Sequence, residues 1–172
     1  MKIDLNKLQL REMQENDCEV ISESFKKQGW NKPKSQYEGY LKYQQDGKRD
    51  IIIAELERNF VGYLTINWQS GYFPFRKKNI PEIVDLNVLK NYQRRGIGTI
   101  LMHEAESRIR NISKYAGIAY GVTKDYGSAQ IFYIKRNYKP DGNGLVKDSK
   151  SLEYGDIVTI DDNIAFYLLK EL

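Results

Sequence analysis

Ile83-Val84-Asp85-Leu86-Asn87-Val88, followed after four residues by Gln93-Arg94-Arg95-Gly96-Ile97-Gly98-Thr99, sets an apolar strand-like run just ahead of a glycine-rich turn. An amphipathic helix from about 97 to 112 follows, with its apolar stripe at Ile97, Ile100, Leu101, Ala105, Ile109 and Ile112. Strand, turn and helix in that order predict a sheet with parallel pairing near the turn, hence an α/β chain. The turn itself aims backbone N–H groups at the start of a helix, where unpaired amides and the positive end of the helix dipole favour phosphate. Gly96 and Gly98 let the main chain take unusual torsions and lie close to a ligand, and Arg94 and Arg95 add positive charge.

Two other glycine-rich phosphate motifs fail on the same letters. A dinucleotide fingerprint needs a third glycine at position 101, which is Leu101, and a P-loop needs Lys and then Ser or Thr after Gly98, where Thr99 and Ile100 stand. On the residues alone, the stretch is either an anion cradle or a tight turn before a helix with no ligand.

The flanks carry a family resemblance. Gln93, Gly96 and Gly98, with the strand before them, resemble the Gln/Arg-x-x-Gly-x-Gly/Ala motif of the GCN5-related N-acetyltransferase (GNAT) superfamily, which holds acetyl-coenzyme A. Ala129-Gln130-Ile131-Phe132-Tyr133-Ile134-Lys135-Arg136-Asn137-Tyr138 is similar to that family's second signature. Two positions depart from the pattern: Asn137, where the family usually has glycine, and Tyr126, where it often has an asparagine that contacts the cofactor.

The resemblance implies a GNAT-like fold of class α/β (α+β mixed sheet). Its sheet is central, twisted and mostly antiparallel, with a parallel pair at the cofactor site and about four flanking helices. It also implies acetyl-coenzyme A as cosubstrate and no metal. Gln93, Arg94, Arg95, Gly96, Ile97, Gly98 and Thr99 would hold the pyrophosphate, and Leu86, Asn87 and Val88 would bond the pantetheine arm through their backbone. Ala129 joins the cofactor set. By the same resemblance, the Val88 N–H would support the oxyanion, Glu82 would act as general base and Tyr133 would protonate the departing thiolate. Strand alternation puts Glu82 and Asp85 on opposite faces.

Composition sets the outer limits. At 172 residues with 41% hydrophobic content, the chain reads as a single domain over 1–172, with no linker-like composition break. No apolar run approaches the ~20 residues of a membrane span, and the start, Met1-Lys2-Ile3-Asp4-Leu5, lacks a secretion signal. The expected location is the cytoplasm. Cys18 is the single cysteine, which agrees with a reducing compartment, and the single histidine, His103, reads as a helix-surface or packing residue rather than a metal ligand. A net charge of +4 from 27 basic and 23 acidic residues, in scattered clusters, argues against a nucleic-acid stripe. The expected partner is a small-molecule amine, with neither nucleic acid nor membrane, and the chain a monomer or homodimer.

Along the rest of the chain, residues 8–13 read as a short strand, and Asn16 or Asp17 as the cap of a helix through Val20, Ile21, Ser24 and Phe25 that Gly29 ends. Ser35 reads as the cap of a second helix, stopped by Asp46-Gly47. Runs 51–56 and 60–68 form a hairpin turning at Arg58-Asn59, and 69–79 is a loop. Strand 117–122, helix 127–136 and strand 163–169 complete the order.

The acceptor is less specified. In the family it lies against the first two helices, their loop and the hairpin, which here supply Trp30, Tyr37, Tyr40, Trp68, Tyr72, Phe73 and Phe75. Trp30, Tyr37, Trp68, Tyr72 and Asp85 are the candidate acceptor contacts, since aromatic faces and carboxylates attract ammonium groups. The leading reading is acetyl transfer to a primary amine of a small molecule. Acetylation of a protein lysine or N-terminus is the alternative, and a non-catalytic acyl-coenzyme A sensor is a second.

Overall fold

The structure is a computed structural model that describes residues 3–172. Its strands are β1 (Leu8–Glu12), β2 (Arg49–Leu56), β3 (Asn59–Asn67), β4 (Glu82–Val88), β5 (Tyr115–Gly121), β6 (Lys139–Lys147), β7 (Lys150–Ser151) and β8 (Ile164–Glu171). The helices are α1 (Asp17–Lys27), α2 (Lys34–Gln45), α3 (Phe73–Lys77), α4 (Ile97–Arg110) and α5 (Gly127–Lys135). This is the expected α/β mixed sheet, mostly antiparallel with a parallel pair, and one short helix more than anticipated. Among the described residues no helix is long and apolar enough to cross a membrane.

The chain divides into two compact units, Met1–Trp68 with Val84–Arg108, and Gln69–Ile83 with Ile109–Leu172. In the first, the strands run in the order β1, β2, β3, β4, with β1 and β3 each antiparallel to β2. Its core gathers Ile21 and Phe25 of α1, Tyr37 of α2, Ile51 and Ile53 of β2, and Phe60 and Tyr63 of β3. The Phe25 ring meets Tyr63 edge-on at 6.0 Å and Phe60 edge-on at 6.1 Å, arrangements that aromatic quadrupoles favour.

In the second unit the order is β4, β5, β8, β6, β7. The parallel pair is Glu82↔Gly117 and Ile83↔Ile118, and every other pairing recorded in this unit is antiparallel. Gly117 is a packing requirement: a Cβ there would fall 2.2 Å from the Phe75 ring. Phe75, Tyr72, Ile80 and Val146 form the local core, with Tyr167 and Leu169 packed on it.

Several sequence expectations shift. The hairpin turns at Glu57-Arg58, whose φ angles of 51° and 66° are the pair of left-handed torsions that a two-residue turn needs, and Asn59 opens β3. Residues 69–79 are not all loop, because α3 lies within them. Val20 is exposed and Cys18, Ile21 and Phe25 carry the buried face of α1. Ile112 lies beyond the end of α4 and is exposed. Neither expected cap side chain caps: Asn16 makes no capping bond, and Ser35 lies inside α2, behind Pro33. The Asp17 carboxylate turns back to accept from the Gln14 N–H at 2.7 Å and from both terminal nitrogens of Arg11 at 2.7 Å.

Candidate active site

In the first unit, the Val84–Val88 part of β4 carries a break. Asp85 has φ 60°, the left-handed region that costs an L-residue about 1 kcal/mol or more and that aspartate tolerates better than most. Alternation therefore does not run through Asp85, and counting by twos from Glu82 does not fix its side. Its carboxylate instead explains its place. Oδ2 accepts from Tyr63 at 2.5 Å, Tyr40 at 3.0 Å and Gln36 at 3.3 Å, and Oδ1 accepts from Asn87 at 2.6 Å and Lys32 at 3.2 Å.

Burial first, and the Asp85 charge second, push the Tyr63 and Tyr40 phenols up, so both stay protonated as donors. The Lys32 ammonium also lies 5.4 Å over the Phe25 ring. Asp85 thus takes its cation from this chain, and the cluster ties α2 and the segment before it to the bend in β4. The amide of Asn87 is part of that tie.

Beyond the bend, β3 and β4 approach closely. A Cβ on Gly62 would lie 2.6 Å from the Asn87 carbonyl oxygen and 3.1 Å from the Val88 Cα, so only glycine fits opposite these two residues. The Leu89 N–H bonds the Val61 carbonyl at 2.9 Å, and the Gln93 side chain donates to the Val88 carbonyl at 3.0 Å. Gln93 is therefore a staple that holds the end of β4 against the turn.

The turn has the geometry of a cradle. Arg94 and Gly96 take φ of 55° and 90°, and the Ile100 N–H makes the first backbone bond of α4, to the Gly96 carbonyl at 3.1 Å. The amides of Ile97, Gly98 and Thr99 precede that bond, and the first turn of the helix holds no acidic residue. Ile97 is buried and anchors the turn, whereas Arg94 and Thr99 are exposed and Arg95 and Gly98 half-buried. An anionic phosphate group fits such a turn electrostatically.

The second unit holds Glu82, Tyr133 and Ala129. Glu82 opens β4 and is only 8% exposed; its Oε2 accepts a hydrogen bond of 2.5 Å from the Ser70 hydroxyl. Tyr133 is buried on α5, with Phe132 at 5.8 Å and Tyr138 at 6.3 Å between ring centroids. Ala129 lies half-buried in the first turn of α5. The two departures from the family pattern have local accounts. Asn137 takes φ 67° just after the helix, where glycine is the usual choice and asparagine the next best. The Tyr126 ring covers Gly121, where a Cβ would fall 2.5 Å from it.

The aromatic acceptor candidates fall in different places. Trp30 stacks on Phe25 at 5.6 Å, Tyr37 is fully buried with its hydroxyl 3.5 Å from that of Tyr63, and Trp68 donates to Asp50 at 2.8 Å, all in the first unit. Tyr72 belongs to the second, where it is buried, donates to Asp141 at 2.9 Å and stacks on Tyr167 at 3.7 Å. Sequence reasoning missed Lys32, Gln36, Tyr63 and Ser70 as partners of the two carboxylates. The alternation of β3 marks Tyr63 as a core residue, but nothing local marks Ser70.

Comparison with known proteins shows the family and the fold. The family model described as the acetyltransferase (GNAT) family matches residues 11–138. The fold resembles an N-acetyltransferase from Staphylococcus aureus Mu50 at 11% identity, with a TM-score of 0.69, covering 95% of this chain and 98% of that one. PaiA N-acetyltransferase from Thermoplasma acidophilum, in complex with coenzyme A, superposes at 14% identity and TM-score 0.66, covering 96% and 99%. A ribosomal-protein-alanine N-acetyltransferase from Brucella melitensis does so at 16% and 0.67, covering 95% and 99%. No curated protein sequence matches the chain. The family model spans well over half of the 172 residues, so the chain belongs to the GNAT acetyltransferase family.

Proposed function

We propose that the protein moves an acetyl group from acetyl-coenzyme A to a primary amine of a small molecule by direct attack. The observation that carries this reading is the left-handed Arg94–Gly96 turn opening onto an acid-free helix start, in a chain of this family. Bound acetyl-coenzyme A supplies a thioester carbonyl open to a nucleophile. Arg94, Arg95 and the amides of 96–99 hold the phosphates, Arg by charge and planar fork, the amides by dipole. Backbone groups of Leu86, Asn87 and Val88 bind the pantetheine arm as an added strand.

An alkyl ammonium of pKa about 10.4 is almost wholly protonated at neutral pH, so the acceptor must lose a proton to become a nucleophile. Glu82 takes that proton, directly or through water. Its burial favours such a role, since a desolvated carboxylate binds a proton more tightly than one in water. The amine nitrogen then bonds to the carbonyl carbon, the Val88 N–H supports the oxyanion, and the carbon–sulfur bond breaks. Tyr133 gives its phenolic proton to the leaving thiolate, the nitrogen releases its second proton to solvent as the neutral amide forms, and the Tyr133 phenolate is reprotonated from solvent. A phenol of pKa about 10 can donate to a thiolate of pKa about 8.5 when the two are in contact. Trp30 and Trp68, both half-buried in the first unit, remain proposed acceptor contacts, whereas Tyr37 and Tyr72 are buried and hydrogen-bonded within their own units and Asp85 is paired with Lys32.

The test is a screen for acetyl-coenzyme A-dependent thiol release over polyamines, aminoglycosides, amino acids and peptides. Release with a small amine supports the proposal; release with peptides alone favours a protein acceptor.

A further inference from the structure

Ser70 is 1% exposed and lies in the short segment between β3 and α3, and its hydroxyl oxygen accepts a hydrogen bond from the Tyr72 N–H at 3.0 Å. With that bond in place, its proton points elsewhere, and the Glu82 Oε2 lies 2.5 Å away. The carbonyl of Ser70 is held in turn by the Arg76 guanidinium of α3 at 3.3 Å, and that of Gly71 by the same nitrogen at 3.1 Å. A buried hydroxyl is therefore fixed at both ends and aimed at one carboxylate oxygen. Nothing in the folding of a two-residue turn requires this aim: Ser70 already satisfies the Tyr72 amide without Glu82.

From this we infer that Ser70 is a positioning residue for Glu82, holding its carboxylate in the orientation from which it takes the acceptor's proton. The inference rests on the proposed role of Glu82 as general base. A hydrogen bond donated to the charged form of a carboxylate lowers its pKa, whereas burial raises it. The Ser70 bond acts against the desolvation of Glu82.

Other titratable and charged groups of this unit face the same region. Tyr167 of β8 is pushed up to about 12, chiefly by burial and then by the charge of Glu82, so it stays neutral through the working range. Tyr72 is likewise raised by burial and by its bond to Asp141. Asp141 is occupied by that phenol, and Arg76 is committed to the two carbonyls. Tyr167 and Tyr72 both lie above the ordinary phenol range, so a midpoint in the carboxylate range that moves in Ser70→Ala and is absent in Glu82→Gln reports on Glu82.

The experiment is a carboxyl carbon-13 NMR titration of the full chain with labelled glutamate, the Glu82 signal being assigned by its loss in Glu82→Gln. Removing the Ser70 hydroxyl takes a stabilising donor from the carboxylate, so its pKa rises. The expected result is an upward move of the Glu82 midpoint by about one pH unit in Ser70→Ala, with Ser70→Thr restoring it. The acid limb of the kcat/KM profile should rise by the same amount in Ser70→Ala. An unchanged midpoint in a folded Ser70→Ala, or a midpoint in Ser70→Thr that follows Ser70→Ala, overturns the inference. A midpoint that moves while the kinetic limb stays put overturns Glu82 as the base and leaves the Ser70 bond standing, which separates the two failures. If Ser70→Ala does not fold, Ser70→Cys replaces it: a thiol is a much weaker donor, and an unmoved midpoint there is equally contradictory.

Discussion

Two carboxylates three positions apart on one strand meet opposite fates because of the donors around them. Asp85 accepts from five side chains, one of them the Lys32 ammonium, and sits at a left-handed bend; Glu82 has a buried hydroxyl aimed at it. Removing the Asp85 carboxylate leaves Lys32 without its ion-pair partner and strands the Tyr63 and Tyr40 hydroxyls. We expect Asp85→Ala to lower unfolding stability by about 2–4 kcal/mol in a urea melt, where a loss under 0.5 kcal/mol would discount the cluster as an anchor. Tyr133 gives a kinetic test instead. Tyr133→Phe removes one oxygen from a packed ring and is expected to lower kcat by about 10- to 10⁴-fold, with coenzyme A affinity by calorimetry close to wild type. Unchanged turnover in a steady-state assay would remove Tyr133 from the acid role. The sequence alone singled out both Glu82 and Tyr133, because each lies at a fixed offset from a recognisable motif. Ser70 was illegible, since its link to Glu82 is made by a turn whose path no local pattern specifies.

At the scale of elements, four helices end in the same way. After α1, α2, α3 and α5 comes a left-handed residue, Gly29, Gly47, Asn79 or Asn137, whose N–H bonds back to Lys26, Gln44, Arg76 or Ile134. The next residue, Trp30, Lys48, Ile80 or Tyr138, bonds to Phe25, Tyr43, Phe75 or Tyr133. This is the double-bonded Schellman end, and in α1 it places Trp30 on Phe25, which accounts for a tryptophan otherwise read as an acceptor contact. The two glycine ends were legible from sequence and the asparagine ends were not, because asparagine takes the same torsion without announcing it. Asn137→Gly relieves a left-handed strain of this kind and should raise stability by a few tenths to about 1 kcal/mol, while Asn137→Val should lower it by more than 1 kcal/mol. Equal melting of all three chains would contradict the assignment. The run 83–88 marked β4 in the sequence, whereas β6 was not located: Lys-Pro-Asp-Gly-Asn-Gly has almost no strand propensity, and the register slips between Pro140 and Leu145. Pairing with β8 overrides that local preference.

At the scale of the molecule, the phosphate turn belongs to the first compact unit and Glu82, Ser70 and Tyr133 to the second. The fold class and family were legible because the two signatures bracket one helix and one strand with matching spacing. The acceptor was not, since the aromatic residues proposed for it are in part core: Tyr37 and Tyr72 are buried and hydrogen-bonded within their own units. The central claim is acetyl transfer to an amine nitrogen, and mass spectrometry of the acceptor after incubation with carbon-13 acetyl-coenzyme A tests it most directly. The account expects the labelled acetyl group on a primary amine of a small molecule, with one equivalent of free coenzyme A released. Tight coenzyme A binding with no labelled amine, small or peptidic, would contradict it.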